Sequence, residues 1–166
     1  MLNKIKAALV AATAIAAFAS TGAQAQAATQ TADARVTILT AVQLAQNDVL
    51  DFGVVASGAT AGTVTLPIGS NTRTCSASVT CVGTALRGRF TVTGASNGYS
   101  VAITVPTSAT LTSGTNTMAV ALTPSITGFT STGAAQSFFV GGTLTVGASQ
   151  AAGLYTGTYT VSANYQ

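Results

Sequence analysis

From residue 35 to the end of the chain, β-branched residues alternate with small polar residues, and this two-residue period restricts the fold most. Such alternation is typical of half-buried β-strands. Gly-rich breaks separate the alternating stretches, and no stretch combines helical periodicity with capping residues. Many short strands separated by turns favour a sandwich or a barrel. The sequence therefore predicts an all-β chain, with an immunoglobulin-like sandwich as the best fit.

The pattern also predicts where the strands lie and how two of them pair. Asn97-Gly98 is the strongest hairpin signal in the chain, and it predicts that residues 90–92 pair with residues 99–105. The remaining strands are predicted at residues 35–44, 49–56, 63–68, 117–122, 137–140, 143–146 and 155–165.

Composition argues against catalysis. The chain has no His, three acidic residues in all, and 5% charged residues. It therefore lacks an imidazole base, a His metal ligand and the Ser-His-Asp arrangement of hydrolases. Paired-carboxylate chemistry has few residues to use. We expect a protein that is not an enzyme and that needs no cofactor and no metal.

Residues 1–25 have the features of a secretory signal peptide. Lys4 and Lys6 precede an Ala-rich apolar stretch, and Ala23-Gln24-Ala25 is a small-residue cleavage site. A membrane helix is the competing interpretation, but it needs about 20 apolar residues and this stretch is shorter. Cleavage removes both lysines, so the high isoelectric point belongs mostly to the leader. We expect an exported protein with no membrane span and no nucleic-acid partner.

Two cysteines remain in the exported chain, Cys75 and Cys81. In an oxidising compartment such a pair predicts one disulfide, which here closes a short loop. A metal site is a poor alternative, because no other soft ligand is present to complete it.

The last fourteen residues alternate cleanly between an apolar or aromatic face and a polar face. Gly153 is fourteenth from the end, and Tyr165 is penultimate. These features resemble the C-terminal strand of chaperone–usher pilin subunits. The resemblance implies that this strand pairs with a periplasmic chaperone or with another subunit, and that an outer-membrane usher takes part. Its candidate contact residues are Gly153, Tyr155, Tyr159, Val161, Ala163 and Tyr165.

The same resemblance implies a donor strand near the N-terminus, because pilin subunits lack their last immunoglobulin strand and receive one from a neighbour. We therefore divide the chain into residues 26–44 and a sandwich domain at 45–166. Two assignments stay open: residues 34–44 are the donor, or they are the domain's own first strand and the donor lies nearer 27–36. The candidate donor residues are Ala34, Val36, Ile38, Val42 and Leu44.

A second resemblance covers most of the exported chain. Its motifs are Leu50-Asp51-Phe52-Gly53, Gly94 after residues 90–93, Tyr99, Val140-Gly141-Gly142-Thr143-Leu144, and the Gly-x-Tyr-x-Gly-x-Tyr pattern at 153–159. They are similar to an exported bacterial family known only as a domain of unknown function (number 4402). That family implies a short, β-rich, distantly pilin-like protein and no established activity. The close spacing of the two cysteines departs from the usual pilin pattern.

Together these observations predict a structural subunit of a surface fibre that assembles by strand complementation with other copies of itself or with related subunits. The protein would pass through the periplasm to the cell surface. The alternative is a monomeric, non-enzymatic secreted module, for example one that binds polysaccharide. The two differ in whether residues 26–44 pair within their own domain.

Overall fold

Strands are the only regular elements between residues 26 and 166, which are the residues that a computed structural model of the protein describes. The predicted signal peptide, residues 1–25, lies outside this range. None of the described residues belongs to a helix that could cross a bilayer. The twelve strands are β1 Gln43–Asp48, β2 Val54–Ser57, β3 Gly62–Leu66, β4 Thr74–Cys75, β5 Val79–Val82, β6 Gly88–Thr93, β7 Ser100–Thr104, β8 Ser108–Ser113, β9 Asn116–Pro124, β10 Gly128–Thr130, β11 Gln136–Val146 and β12 Ser162–Tyr165.

The largest sheet is organised around β11. Its strand order is β1-β6-β11-β3-β4, with β9 on the other edge of β11 and β8 beyond it. The sequence pattern predicts two strands here, but Gln136–Val146 is continuous. Gly141 and Gly142 lie at its middle, where a Cβ would meet the carbonyl oxygens of Leu66 and Ala121. Glycine is needed because neighbouring strands approach this backbone closely, so the glycine pair does not end the strand.

A second layer covers the inner face of this sheet. It consists of a three-stranded sheet with the order β10-β7-β12, and a two-stranded ribbon of β2 and β5. Phe138, which is 1% exposed, stacks on Phe90 with ring centroids 5.4 Å apart. Other core residues come from both layers, among them Val64, Leu66, Val92, Ile103, Val120, Val140 and Leu144. The predicted all-β sandwich is confirmed.

The predicted hairpin at Asn97-Gly98 is wrong. β6 pairs with β1 and β11, whereas β7 pairs with β10 and β12, so the two strands belong to different sheets. The connection is held by other contacts: the Ser131 hydroxyl donates to the Ala95 carbonyl, and the Gly98 N–H donates to the Ser131 carbonyl. The turn residues were recognised correctly, but their partner across the turn is a distant loop.

The predicted disulfide between Cys75 and Cys81 is confirmed. Cys75 lies on β4 opposite Val64 of β3, and Cys81 lies on β5 opposite Val55 of β2. The disulfide therefore fastens the β2–β5 ribbon to the large sheet.

Replacing both cysteines by serine is expected to lower the free energy of unfolding by about 2 kcal/mol, because the unfolded chain regains the entropy of a short closed loop. Urea denaturation of the oxidised wild type and the double variant measures the difference. An unchanged urea midpoint would contradict this prediction.

Candidate strand-binding groove

An open groove of about 820 Å³ runs between two stretches of chain, residues 49–57 and residues 150–157. Its floor is formed by apolar residues of β8, β9 and β11: Leu111, Met118, Leu144 and Val146. The floor therefore belongs to the hydrophobic core or packs directly against it. Leu111 and Met118 are half-buried, whereas Leu144 and Val146 are only 3% and 2% exposed. A sandwich that lacks one strand would have such an incompletely covered line between two stretches of chain.

The first wall is an interrupted strand. Asp51 exchanges two backbone hydrogen bonds with Leu86, of 2.7 and 2.8 Å. The neighbouring side chains of Leu50 and Phe52 turn inward and pack in or against the core. Gly53 then adopts a positive φ of 69°, which favours glycine, and its N–H donates to the Asp51 carboxylate at 2.7 Å.

Arg73 holds this break in the wall together. Its guanidinium donates to the carbonyl of Phe52 just before the break, and to that of Val54 just after it. It also donates to the carbonyls of Val82 at 2.7 Å and Gly83 at 3.2 Å, on the opposite side of the ribbon. A planar, forked cation can serve several carbonyls at once, which explains why an arginine stands here.

The second wall, residues 150–157, overlaps the start of the C-terminal segment that the sequence singled out, and residues 158–165 do not line the groove. Within the C-terminal segment the one strand is β12, which pairs with β7 from Ser162 opposite Thr104 to Tyr165 opposite Val101. Residues 157–161 make no backbone hydrogen bond to any other described residue, although Thr156 is bridged to Thr112. The predicted alternation is present, since Tyr155, Tyr159, Val161, Ala163 and Tyr165 are all half-buried while Gly153 is exposed.

A hydrogen bond joins the two walls directly, since Ser57 Oγ donates to the Gln150 carbonyl at 3.2 Å. Outside the groove, at the end of β12, Tyr165 Oη donates to the Thr40 carbonyl at 2.9 Å and accepts the Ser96 N–H at 2.6 Å. The bond from Ser96 lowers the pKa of Tyr165 below its usual range. Residues 150–165 are therefore fastened to the rest of the domain near both of their ends.

Tyr159, which follows the second wall in the C-terminal segment, has a buried environment that suits only part of its side chain. Its ring meets the Phe90 ring edge to face at 6.2 Å. Its hydroxyl is buried and has no hydrogen-bond partner among residues 26–166. Burial raises the pKa of Tyr159 above its ordinary value of about 10. An aromatic ring suits this position, whereas the hydroxyl costs stability.

Replacing Tyr159 by Phe is expected to raise the free energy of unfolding by about 1 kcal/mol, since it removes a buried hydroxyl that lacks a partner. Because the folded pKa is raised, the neutral hydroxyl is tolerated below about pH 10 and stability is lost as pH rises past that value. The Phe variant should lose less stability between pH 9 and about pH 11. Urea midpoints at a series of pH values test both effects, and a lower midpoint for the variant at pH 7 would contradict them.

The structure divides the candidate donor residues into two groups. Leu44 lies on β1 opposite Val92 of β6, and Val42 just before β1 also packs against the core. By contrast Ala34 is exposed, Val36 is 85% exposed and Ile38 is 88% exposed. Residues 26–42 belong to no strand, and the compact unit of the sandwich begins at Thr37.

The sequence pattern did not reveal the first wall or the floor of the groove. Residues 49–56 were predicted as an ordinary strand, and Leu111 and Met118 were not singled out. The available signal was the exposed Val49 and Val54 around the inward-facing Leu50 and Phe52, since such a stretch presents apolar groups on both sides. This signal alone does not distinguish a groove wall from a buried strand.

One family model matches the chain, over residues 42–165, and its description is "Domain of unknown function (DUF4402)". No curated protein and no solved structure matches the chain. The matched range covers β1 to β12, and thus both walls and the floor of the groove, while residues 34–38 lie outside it. The chain belongs to the family described as Domain of unknown function (DUF4402).

Proposed function

We propose that this protein is a structural subunit of an extracellular fibre, and that its subunits join by strand complementation. In this proposal the N-terminal segment of one copy lies in the groove of the next copy, between residues 49–57 and the C-terminal segment. The segment would form the strand that the sandwich lacks along this line. This role requires no catalytic residue, cofactor or metal.

One observation carries the proposal: a single chain contains both an open apolar groove and an exposed segment of matching pattern. The groove has an apolar floor, and its second wall continues into residues 157–161, which lack backbone partners among the described residues. The segment has Ala34, Val36 and Ile38 on one face of an extended chain. Exposed apolar side chains at alternating positions are costly in a monomer and favourable once another chain covers them.

The free energies expected for side-chain burial, backbone pairing and chain ordering are compatible with this arrangement. Burying a Val or Ile side chain contributes about 1.5–3 kcal/mol, so Val36 and Ile38 together offer a substantial driving force. Backbone pairing with residues 157–161 adds hydrogen bonds at an edge that now has none. Ordering the segment costs about 1–2 kcal/mol for each residue fixed, so a segment of several residues needs both contributions to bind stably.

The donated segment is assigned to residues 26–38. Gln43–Asp48 is already used as β1 of the subunit's own sheet, and Thr40 is hydrogen-bonded to Gly94, Ser96 and Tyr165. Thr40 is thus the first of the described residues that is hydrogen-bonded to the sandwich, and in this proposal the residues before it enter the neighbour's groove.

Export follows from the proposal together with the predicted leader. During passage through the periplasm, a chaperone strand would cover the same groove until a subunit displaces it, and an outer-membrane usher would guide assembly. The assembled fibre would stand at the cell surface.

A truncation tests the proposal. The chain from Gln26 onward and a variant that starts at Leu39 are compared on SDS gels with and without boiling. The proposal predicts a heat-sensitive ladder for the longer chain and a folded monomer for the variant, as judged by its urea midpoint. If the longer chain is a cooperative monomer at all concentrations, the fibre role is wrong and the monomeric binding module takes its place.

A further inference from the structure

Charged side chains are scarce in the described part of the chain, and most of them have structural partners. Arg89 Nε and Asp48 Oδ2 form the one ion pair found among residues 26–166, at 2.8 Å. Arg73 is engaged by four carbonyls, and Arg87 donates to the Ile68 carbonyl and lies 3.7 Å above the Phe139 ring. Asp33, Arg35 and Asp51 form no ion pair among the described residues, although the Asp51 carboxylate accepts the Gly53 N–H at 2.7 Å.

These three residues lie on the two surfaces that the proposed assembly brings together. Asp51 is the single Asp, Glu, Lys or Arg among the residues that line the groove, and its side chain is exposed. Its neighbours Leu50 and Phe52 point inward, so Asp51 points outward from the wall. Arg35 is the single cationic residue between residues 26 and 42.

Because side chains alternate along a strand, Arg35 and Asp51 would lie on the same, outward side of the paired strands. If Ala34, Val36 and Ile38 face the groove floor, Arg35 must face outward, because successive side chains of a strand alternate. Asp51 also faces outward on the adjacent wall. Directly opposed outward residues on neighbouring strands approach closely enough for an ion pair.

Resting on the proposed function, we propose that Arg35 of one copy pairs with Asp51 of the next copy, and that this pair fixes the register of the donated segment. A slip of two residues in one direction would place Asp33 against Asp51, which is repulsive. A slip in the other direction would place the uncharged Thr37 there. A slip of one residue would turn the apolar face outward. The charges thus select one register from those that keep the apolar side chains of the segment on the groove floor.

Two charge-reversal variants of the chain from Gln26 onward test this pairing, Arg35→Asp and Asp51→Arg. Each places like charges together, so each alone should assemble at least about tenfold less than wild type at low salt. An equimolar mixture of the two variants restores opposite charges at every junction, because each variant then meets only the other. The mixture should therefore regain assembly as strictly alternating copolymers, which native mass spectrometry recognises from the masses of the dimers.

Controls separate folding from pairing. The urea midpoint of Arg35→Asp should equal that of wild type, since no ion pair among the described residues involves Arg35. Asp51→Arg should have a somewhat lower midpoint, because the Asp51 carboxylate accepts the Gly53 N–H, so its assembly is compared per folded molecule. Asp33→Asn, two residues from Arg35 on the same face, should leave assembly unchanged. High salt should weaken wild-type assembly in part, because it screens an exposed pair.

The outcomes distinguish this pairing from the proposed function. If wild type assembles and the single variants assemble equally well, the pairing is overturned while strand complementation stands. If the single variants fail and their mixture also fails, the pairing is likewise overturned. If wild type itself stays monomeric, strand complementation fails and the pairing fails with it.

Discussion

Replacing Ile38 by Asp is expected to weaken assembly at least about a hundredfold and to leave the free energy of unfolding unchanged. Ile38 is 88% exposed, so the folded subunit loses no buried contact. In the proposed fibre the same side chain lies against the apolar floor, where its burial contributes about 1.5–3 kcal/mol. A carboxylate there forfeits this contribution and also pays for desolvation. Sedimentation velocity at several protein concentrations measures the effect.

Thr37→Asp provides the matched control for this variant. It introduces the same carboxylate one residue away, on the face that strand parity turns outward. The association constant of the Thr37→Asp variant should stay within a few-fold of the wild-type value. If Thr37→Asp and Ile38→Asp weaken assembly equally, the segment does not bind as a strand with alternating faces, and the proposed contact is wrong.

Replacing Arg73 by Ala is expected to lower the free energy of unfolding by about 2–3 kcal/mol and to impair assembly as well. The guanidinium is the shared donor for carbonyls on both sides of the break at Gly53. Hydrogen bonds to charged groups contribute about 1.5–3 kcal/mol, and the Phe52 carbonyl left behind is partly buried. Since residues 52–54 form a groove wall, its displacement should reduce binding of the donated segment even where the variant remains folded.

Arg87→Ala separates the two effects of the Arg73 substitution. Arg87 also donates to a carbonyl, that of Ile68, and it stacks on Phe139, but it does not line the groove. The Arg87→Ala variant should be less stable than wild type, but its folded molecules should assemble as well as wild type does. Urea denaturation gives the stability of both variants, and sedimentation at low temperature gives their assembly. Equal assembly of the two folded variants would contradict a role for Arg73 in the groove wall.

The features that the sequence predicted correctly depend on residues that are close together in the chain. The sequence predicted the all-β class, the disulfide and the half-buried alternation of the C-terminal segment, since strand propensity, cysteine spacing and side-chain parity are local properties. It misplaced the pairing at Asn97-Gly98, because the choice between a hairpin and a crossover depends on distant residues such as Ser131. It also split β11 at Gly141-Gly142, where glycine reflects close neighbouring strands.

The groove illustrates a different limit. The Tyr pattern at 155–165 identified one wall, but the other wall is built by Arg73, which lies 21 positions after Phe52 in sequence. No local pattern links an arginine to the carbonyls of a distant break. The end of the N-terminal segment was not predictable for the same reason. It depends on the contacts of Thr40 with Ser96 and Tyr165, which are distant in sequence.

Hydrogen–deuterium exchange of the assembled chain tests the central claim most directly. The claim is that a strand from another copy fills the groove, so the amides of residues 157–161 should gain partners on assembly. The account predicts exchange at these amides at least about tenfold slower in assemblies than in the Ile38→Asp monomer, with residues 34–38 protected as well. Equal exchange at residues 157–161 in assemblies and monomer would contradict it, because the subunits would then be joined through another surface.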